Sequence, residues 1–433
     1  MWLPGFALIL ENNEDDTIMK KLFSFAAIAV LILVSCRKED NTVPVEDLTQ
    51  RKDFVLTKAQ MEFIKENNAF ALELFRQVSQ SEDGQDLLIS PLSITIDFGM
   101  VSNGAVGQTQ QEIYETLGYK ESSIDGLNSF CQSMMAQSAA ADPSTTLEIA
   151  NTAVVNKIYP GLKDSFTKTV ESVYDAKVIY KDFGKEDIMK LVNDWCKEKT
   201  HGMIPELLSL PVPASDYAHF LNAVYFKGIW TSRFRKDDTR KEAFTRENGS
   251  KTTVRMMHQK DRFNYGGIDG LCSAVSLPYG NQAYAMTLLL PVEGETLAQL
   301  VDALDADAWN NLRMHGELVD VKIPAFETEY FVSLKDILPK MGIKQAFSIR
   351  ADFSALSSTP NLCIGDVLHK AKIKVDEEGS EAAAVTDIIV MEGAAAPGNS
   401  PTYLEFHADH PFLYLITEKS TGAILFIGRY TGK

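Results

Sequence analysis

VDEEGSEAAAVTDIIVMEGAAAPGNSP, residues 375–401, is written for two environments at once. Read as a strand, its even positions are Ser380, Ala382, Ala384, Thr386, Ile388 and Val390, while both charges, Glu381 and Asp387, fall on odd positions. Alternate strand residues face opposite sides, so one whole face is free of charge and fit for burial. Yet Gly379 precedes the run, and Gly393, Pro397, Gly398 and Pro401 follow it, which is the punctuation of a long exposed loop. Periodicity alone also admits an edge strand with a long loop, or a short Ala-rich helix.

The surrounding chain is ordinary globular material. It has 433 residues, 45% hydrophobic and 23% charged, enough to bury a large core. Fifty-nine acids against 42 bases leave a net charge of -17, which opposes binding to nucleic acid or anionic lipid. No nucleic-acid partner and no cofactor is expected, and a monomer is.

From Met19 the chain reads MKKLFSFAAIAVLILVSC: two lysines, an apolar run from Leu22 to Val34, and a closing Ser-Cys. A basic start and a short apolar run make an export signal, too short to span a bilayer. Leu33–Cys36 resembles a bacterial lipobox, in which the cysteine is lipidated and becomes the mature N-terminus; an ordinary secretory signal with a chance cysteine is the alternative. The expected division is a start-site artefact at 1–18, a lipoprotein signal at 19–35, a flexible tether at 36–56 and one folded domain at 57–433. Export to the bacterial envelope follows, periplasmic or on the cell surface, with membrane contact only through lipid on Cys36. Lys38, Glu39 and Asp40 resemble, weakly, surface-export signals of some Gram-negative lipoproteins. The remaining cysteines, Cys131, Cys196, Cys272 and Cys363, are scattered without metal-like spacing and read as buried thiols.

The folded part opens with a capping-box pattern, Thr57 and Gln60, ahead of Phe63, Asn67, Phe70, Leu74 and Val78 at helical spacing. Further helices are predicted at 93–103, 109–117, 123–137, 162–174 and 188–200. Strands are predicted at 151–156, 217–226, 272–278, 283–290 and 319–323, and the C-terminus reads as two strands around a turn at 418–422. No repeat and no low-complexity linker interrupts residues 57–433. One large α+β domain is the simplest account.

Enzymatic signatures are weak. GxSxG, HExxH, a P-loop and GxGxxG do not occur. Ser165 and Lys168 fit the SxxK of penicillin-recognising serine hydrolases, but Ser-Asp-Asn is missing, and Lys419-Ser420-Thr421-Gly422 only approximates the third motif. A solvated helix face explains the pair better. His407-Ala408-Asp409-His410 carries zinc-ligand types, yet in extended chain the histidines project to opposite sides and Pro411 follows at once. A loop-to-strand junction is the plainer reading. No metal and no catalytic residue is expected.

Seven stretches in order, ISPLSI (89–94), VNDWCKEKTHGMIPELL (192–208), NAVYFKGIW (222–230), LPY (277–279), LHKAKIKVDEEGSEAAA (368–384), HPFLYLI (410–416) and ILFIGR (424–429), resemble the serpin family. The resemblance implies three β-sheets, eight to nine helices and an exposed reactive-centre loop at about 378–405. It further implies that the protein is no enzyme but a suicide substrate. A target protease forms an acyl-enzyme on the loop; the cut loop then inserts as a new strand in the central sheet and distorts the protease. Carried over by position, Glu378, Gly379, Ser380, Glu381, Ala382, Ala383 and Ala384 form the hinge of the loop, where bulk, charge or proline on the buried face would stall entry. Ser90, Ser93, Asn222 and His369 match the shutter beneath the parting strands, and Trp230 matches the breach where insertion begins. The reactive bond falls at Gly393–Ala394, with Val390, Met391 and Glu392 as alternatives because the stretch to Pro411 is longer than usual. No Arg or Lys lies between Gly379 and Pro411, so elastase-like, subtilisin-like or papain-like proteases are the expected targets and trypsin-like ones are not. A non-inhibitory member with a binding or structural role is the runner-up.

Overall fold

The computed structural model describes residues 51–82, 84–121, 123–380 and 401–433. The signal and tether, with Cys36, lie outside them, as do residues 381–400. The description below therefore concerns the C-terminal unit, Leu48–Lys433.

Nine α-helices occur among the described residues: α1 (Lys58–Ser81), α2 (Pro91–Ser102), α3 (Gly107–Leu117), α4 (Ile124–Ser138), α5 (Asp164–Tyr174), α6 (Ile188–Lys199), α7 (Leu297–Ala303), α8 (Ala306–Asn311) and α9 (Leu338–Met341). The strands are β1 (Leu87–Ile89), β2 (Thr145–Asn156), β3 (Lys177–Lys181), β4 (Ala218–Ile229), β5 (Arg240–Thr245), β6 (Lys251–Ile268), β7 (Cys272–Tyr279), β8 (Tyr284–Pro291), β9 (Arg313–Pro324), β10 (Phe326–Ser333), β11 (Leu368–Val375), β12 (Gly379–Ser380), β13 (Leu404–His407), β14 (Phe412–Glu418) and β15 (Ile424–Tyr430). The α+β class and helix number agree with the sequence reading. Helix α1 begins as its capping box dictates: the Thr57 hydroxyl accepts from the Gln60 amide, and the Gln60 side chain accepts from the Thr57 amide. Its whole predicted face, Phe63, Asn67, Phe70, Leu74 and Val78, is buried.

The strands form two hydrogen-bonded sheets. The smaller runs β10-β11-β12-β4-β2-β3, and the larger runs β1-β15-β14-β8-β7-β6-β9-β13, with β5 also on β6. The larger contains two lobes because β6 is 18 residues long: its start pairs β5 and most of its length pairs β9, while only 264–268 pair β7. Two of the three sheets implied by the resemblance are thus continuous through one strand. Strands β8, β14 and β15 are buried along their whole length, sandwiched in the core.

Helix α2 sits behind the six-stranded sheet, and α6 covers part of its other face. Leu221 of β4 packs there with Val192 and Ile188 of α6. Replacing Thr57 by Ala removes the N-cap acceptor of α1 and is expected to cost about 1 kcal/mol; a thermal melt that leaves the midpoint unmoved would show the cap to be unimportant.

Candidate functional site

The chain leaving β11 turns back at once. Asp376 and Gly379 exchange backbone hydrogen bonds of 2.9 and 3.2 Å, and β12 then enters the sheet antiparallel to both neighbours: Ser380 stands opposite Val375 of β11 and Gly228 of β4, and Gly379 opposite Ile229. Glycine is required here. The Gly379 φ is +153°, and a Cβ would meet the Gly228 carbonyl oxygen at 2.0 Å. Ser380 is fully buried, and its hydroxyl lies 2.6 Å from that of Tyr279.

Trp230 is the pin of this turn. Its backbone N–H donates to the Glu378 carbonyl at 2.9 Å and its indole Nε1 to the Asp376 carbonyl at 2.9 Å, while Phe234 N–H donates to the carbonyl of Glu377 at 3.1 Å. The indole stacks on Tyr279 with centroids 4.4 Å apart and planes at 12°. Three consecutive carbonyls are thereby held. The side chains are tied as well: Glu378 bridges Arg233 (3.1 Å) and Lys236 (3.0 Å), and buried Glu377 accepts from Arg255 (2.5 Å) and Thr239 (2.8 Å). Desolvation raises the Glu377 carboxyl, but these donors and a backbone amide outweigh it and hold the group below the usual carboxylate range.

Deeper in the same sheet, the structure brings Ser90, Ser93, Asn222 and His369 together. The Ser90 amide donates to His369 Nε2 (3.0 Å), the Ser90 hydroxyl to the Leu425 carbonyl (2.9 Å), and the Ser93 hydroxyl to Asn222 Oδ1 (2.5 Å). Asn222 in turn donates to Asn151 of β2 at 2.7 Å. The N-terminus of α2, where Ser90 is the N-cap, is therefore clamped to strands on both sides of β12. Burial pushes the His369 imidazole down to about 4, consistent with a neutral ring that accepts through Nε2.

Among the described residues, β4 and β11 are joined only through the two residues of β12, Gly379 and Ser380.

Comparison with known proteins matches this architecture. A family model described as "Serpin (serine protease inhibitor)" covers residues 65–432. The chain is a serpin. It is 35% identical over 381 residues to leukocyte elastase inhibitor A of Rattus norvegicus, covering 84% of this chain and 97% of that one, and 31% identical over 371 residues to neuroserpin of Homo sapiens, covering 83% and 89%. Among solved structures, the native state of the thermophilic serpin tengpin superposes with a TM-score of 0.76 at 26% identity, covering 88% of this chain and 96% of that one. Serpin48 of the insect Tenebrio molitor gives 0.77 at 28% identity, covering 86% and 98%.

Of the hinge residues taken from the sequence, Glu378, Gly379 and Ser380 are in the turn just described. Glu381, Ala382, Ala383 and Ala384 lie outside the described residues, as do Val390, Met391, Glu392, Gly393 and Ala394. Tyr279, Glu377, Arg255 and Thr239 were missed as partners of the hinge; LPY at 277–279 was visible as a matching stretch, but nothing local to Arg255 or Thr239 marks them. Ser165 and Lys168 are exposed on α5. His407 ends β13 and pairs with Asp320 (3.3 Å), whereas His410 contacts Asp409 and the Pro291 carbonyl, and no group able to hold a metal occurs among the described residues. One expectation needs correction: Cys131, Cys196 and Cys272 are buried, but Cys363 is exposed, because it lies in the irregular segment before β11 and not in an element that faces the core.

His369 gives this serpin a pH dependence. Its folded-state value is depressed from 6.5 to about 4, so its contribution is fully present above about pH 6.5 and fades as pH falls toward 4. The whole effect is about 3 kcal/mol. Thermal melts from pH 7.5 to 4 are expected to fall more steeply for the natural chain than for His369→Gln; parallel curves would remove His369 from the account.

Proposed function

We propose that this serpin inhibits serine or papain-like cysteine proteases of elastase-like or subtilisin-like specificity by the suicide route. The observation that carries the reading is the pairing of Gly379 and buried Ser380 between β4 and β11, which starts a strand there that the rest of the loop would continue. A protease that attacks the loop forms an ester or thioester; if the freed strand enters the sheet before water hydrolyses that bond, the enzyme is carried along and its active site distorted. The serpin provides no nucleophile or base. It provides a hinge whose residues 379–384, GSEAAA, can enter quickly, and a loop-out state that persists kinetically.

The bait lies within IIVMEGAAA, residues 388–396, with Gly393–Ala394 as the reactive bond and Val390, Met391 or Glu392 as neighbours that other proteases would select. Its apolar and small side chains fit the pockets of elastase-like enzymes, in line with the elastase inhibitors among the relatives. The absence of Arg and Lys from 380–410 argues against trypsin-like targets. The protein is further proposed to be a monomer with its folded domain at 57–433, exported and tethered to the bacterial envelope by lipid on Cys36. The apolar run ending in Leu-Val-Ser-Cys supports that location.

Mixing with pancreatic or neutrophil elastase is expected to give a covalent complex stable to boiling SDS. The variant Ala384→Arg should be cleaved without trapping, since an arginine on the uncharged even-numbered face would have to be buried as the strand enters. Elastase that cuts the natural chain and remains fully active would contradict inhibition and favour a binding or structural role. For the anchor, Cys36→Ser is expected to release the protein from membranes into the soluble fraction; unchanged membrane retention would refute lipidation at that residue.

A further inference from the structure

Asp97 is a buried acid that neither the hinge nor the shutter uses. It lies on α2 one turn beyond Ser93, and its Oδ1 is enclosed without a hydrogen-bond partner. The side chain lines a cavity of about 30 Å³ where four elements meet. Its polar wall is Ser93 and Asp97 from α2, Cys196 from α6, Asn222 from β4, and His369 and Lys370 from β11; the rest of the wall is apolar.

The groups facing Asp97 are committed elsewhere. The Ser93 hydroxyl donates to Asn222 Oδ1, and the Asn222 amide donates to Asn151. His369 Nε2 accepts from the Ser90 amide. Lys370 pairs with Glu329 (2.8 Å) and donates to the Glu206 carbonyl (2.7 Å). A carboxylate taken out of water must be met by donors or a cation. The enclosed Oδ1 of Asp97 is met by none, so the form that packs here is the neutral acid, and burial pushes its carboxyl well above the usual range.

We propose that Asp97 is a proton lock on the sheet: α2, β4 and β11 close around it as the acid, and when they part its O–H proton passes to water and the carboxylate is hydrated. The inference rests on the inhibitor reading for its purpose, since β4 and β11 are the strands which that reading requires to part. The lock is engaged by acid. Its contribution is complete below 3.8, the ordinary value of the group, and is lost as pH rises toward the raised value of the enclosed form. Across that range each pH unit favours opening by up to about tenfold. His369 acts in the opposite sense, but only below 6.5, and the Cys196 thiol stays neutral up to about 12. The lock is therefore isolated above pH 6.5.

Cys196 reports opening from the same wall, whereas Cys131 of α4 packs against Gly99 of α2 outside the cavity and reports wholesale unfolding. The full chain is treated with iodoacetamide between pH 6.5 and 8.5, label at the two cysteines is read by peptide mass, and each rate is divided by that of glutathione at the same pH. The corrected Cys196 rate of the natural chain is expected to rise with pH, by up to about tenfold per unit, while that of Cys131 stays level. In Asp97→Asn the Cys196 rate should be level too, and Asp97→Ala gives the same reading if the asparagine variant does not fold. A level rate in the natural chain, an equal rise in either variant, or an equal rise at Cys131 would overturn the lock. No protease enters this measurement, so failure to trap elastase would overturn the inhibitor reading while leaving the proton lock standing.

Discussion

The action proposed for this molecule depends on the strand position between β4 and β11 that Gly379 and Ser380 enter. A sheet interior normally closes its backbone ladder, because unpaired amides and carbonyls lose their partners when water is displaced. Among the described residues, Gly379 and Ser380 are what closes the ladder between β4 and β11. Filling the rest would add hydrogen bonds along both flanking strands, each contributing about 1 kcal/mol. On the proposed reading, a fold with the loop outside the sheet is less stable than the inserted one, and its persistence is a matter of rate.

On the same reading, two clamps set that rate. At the mouth, Trp230 and Phe234 hold three carbonyls while Glu377 and Glu378 are tied to Arg255, Arg233 and Lys236. Below it, Ser90, Ser93, Asn222 and His369 tie the strands to the start of α2. The lower network is buried, and so is directional in a way that packing alone is not, whereas the ion pairs at the mouth reach solvent through Lys236 and Arg255. That suits an element that must stay shut and then open completely.

Much of this was legible in the sequence, and the exceptions have physical causes. Helices α1 to α6 carry caps or clear 3.6-residue periodicity, and their ends were read to within a few residues. The core strands β7, β8, β14 and β15 show as apolar runs. Strand β6, the longest, was missed because MMHQKDRFNY mixes charge into its middle, and pairing with β5, β7 and β9 overrides that local signal. Helices α7 and α8 are too short to show a period. At the site, GSEAAA and Trp230 stood out by family resemblance, but Arg255 and Thr239 reach Glu377 from more than 100 residues away and leave no local trace.

The central claim is that residues 381 to about 393 pair between β4 and β11 once the loop is cut. Amide hydrogen exchange on the chain before and after cleavage in 390–396 tests it most directly. The account predicts that amides of 381–390, and those along the facing edges of β4 and β11, become strongly protected only in the cut form. Rapid exchange of 381–390 in the cut chain, with β4 and β11 unchanged, would contradict it.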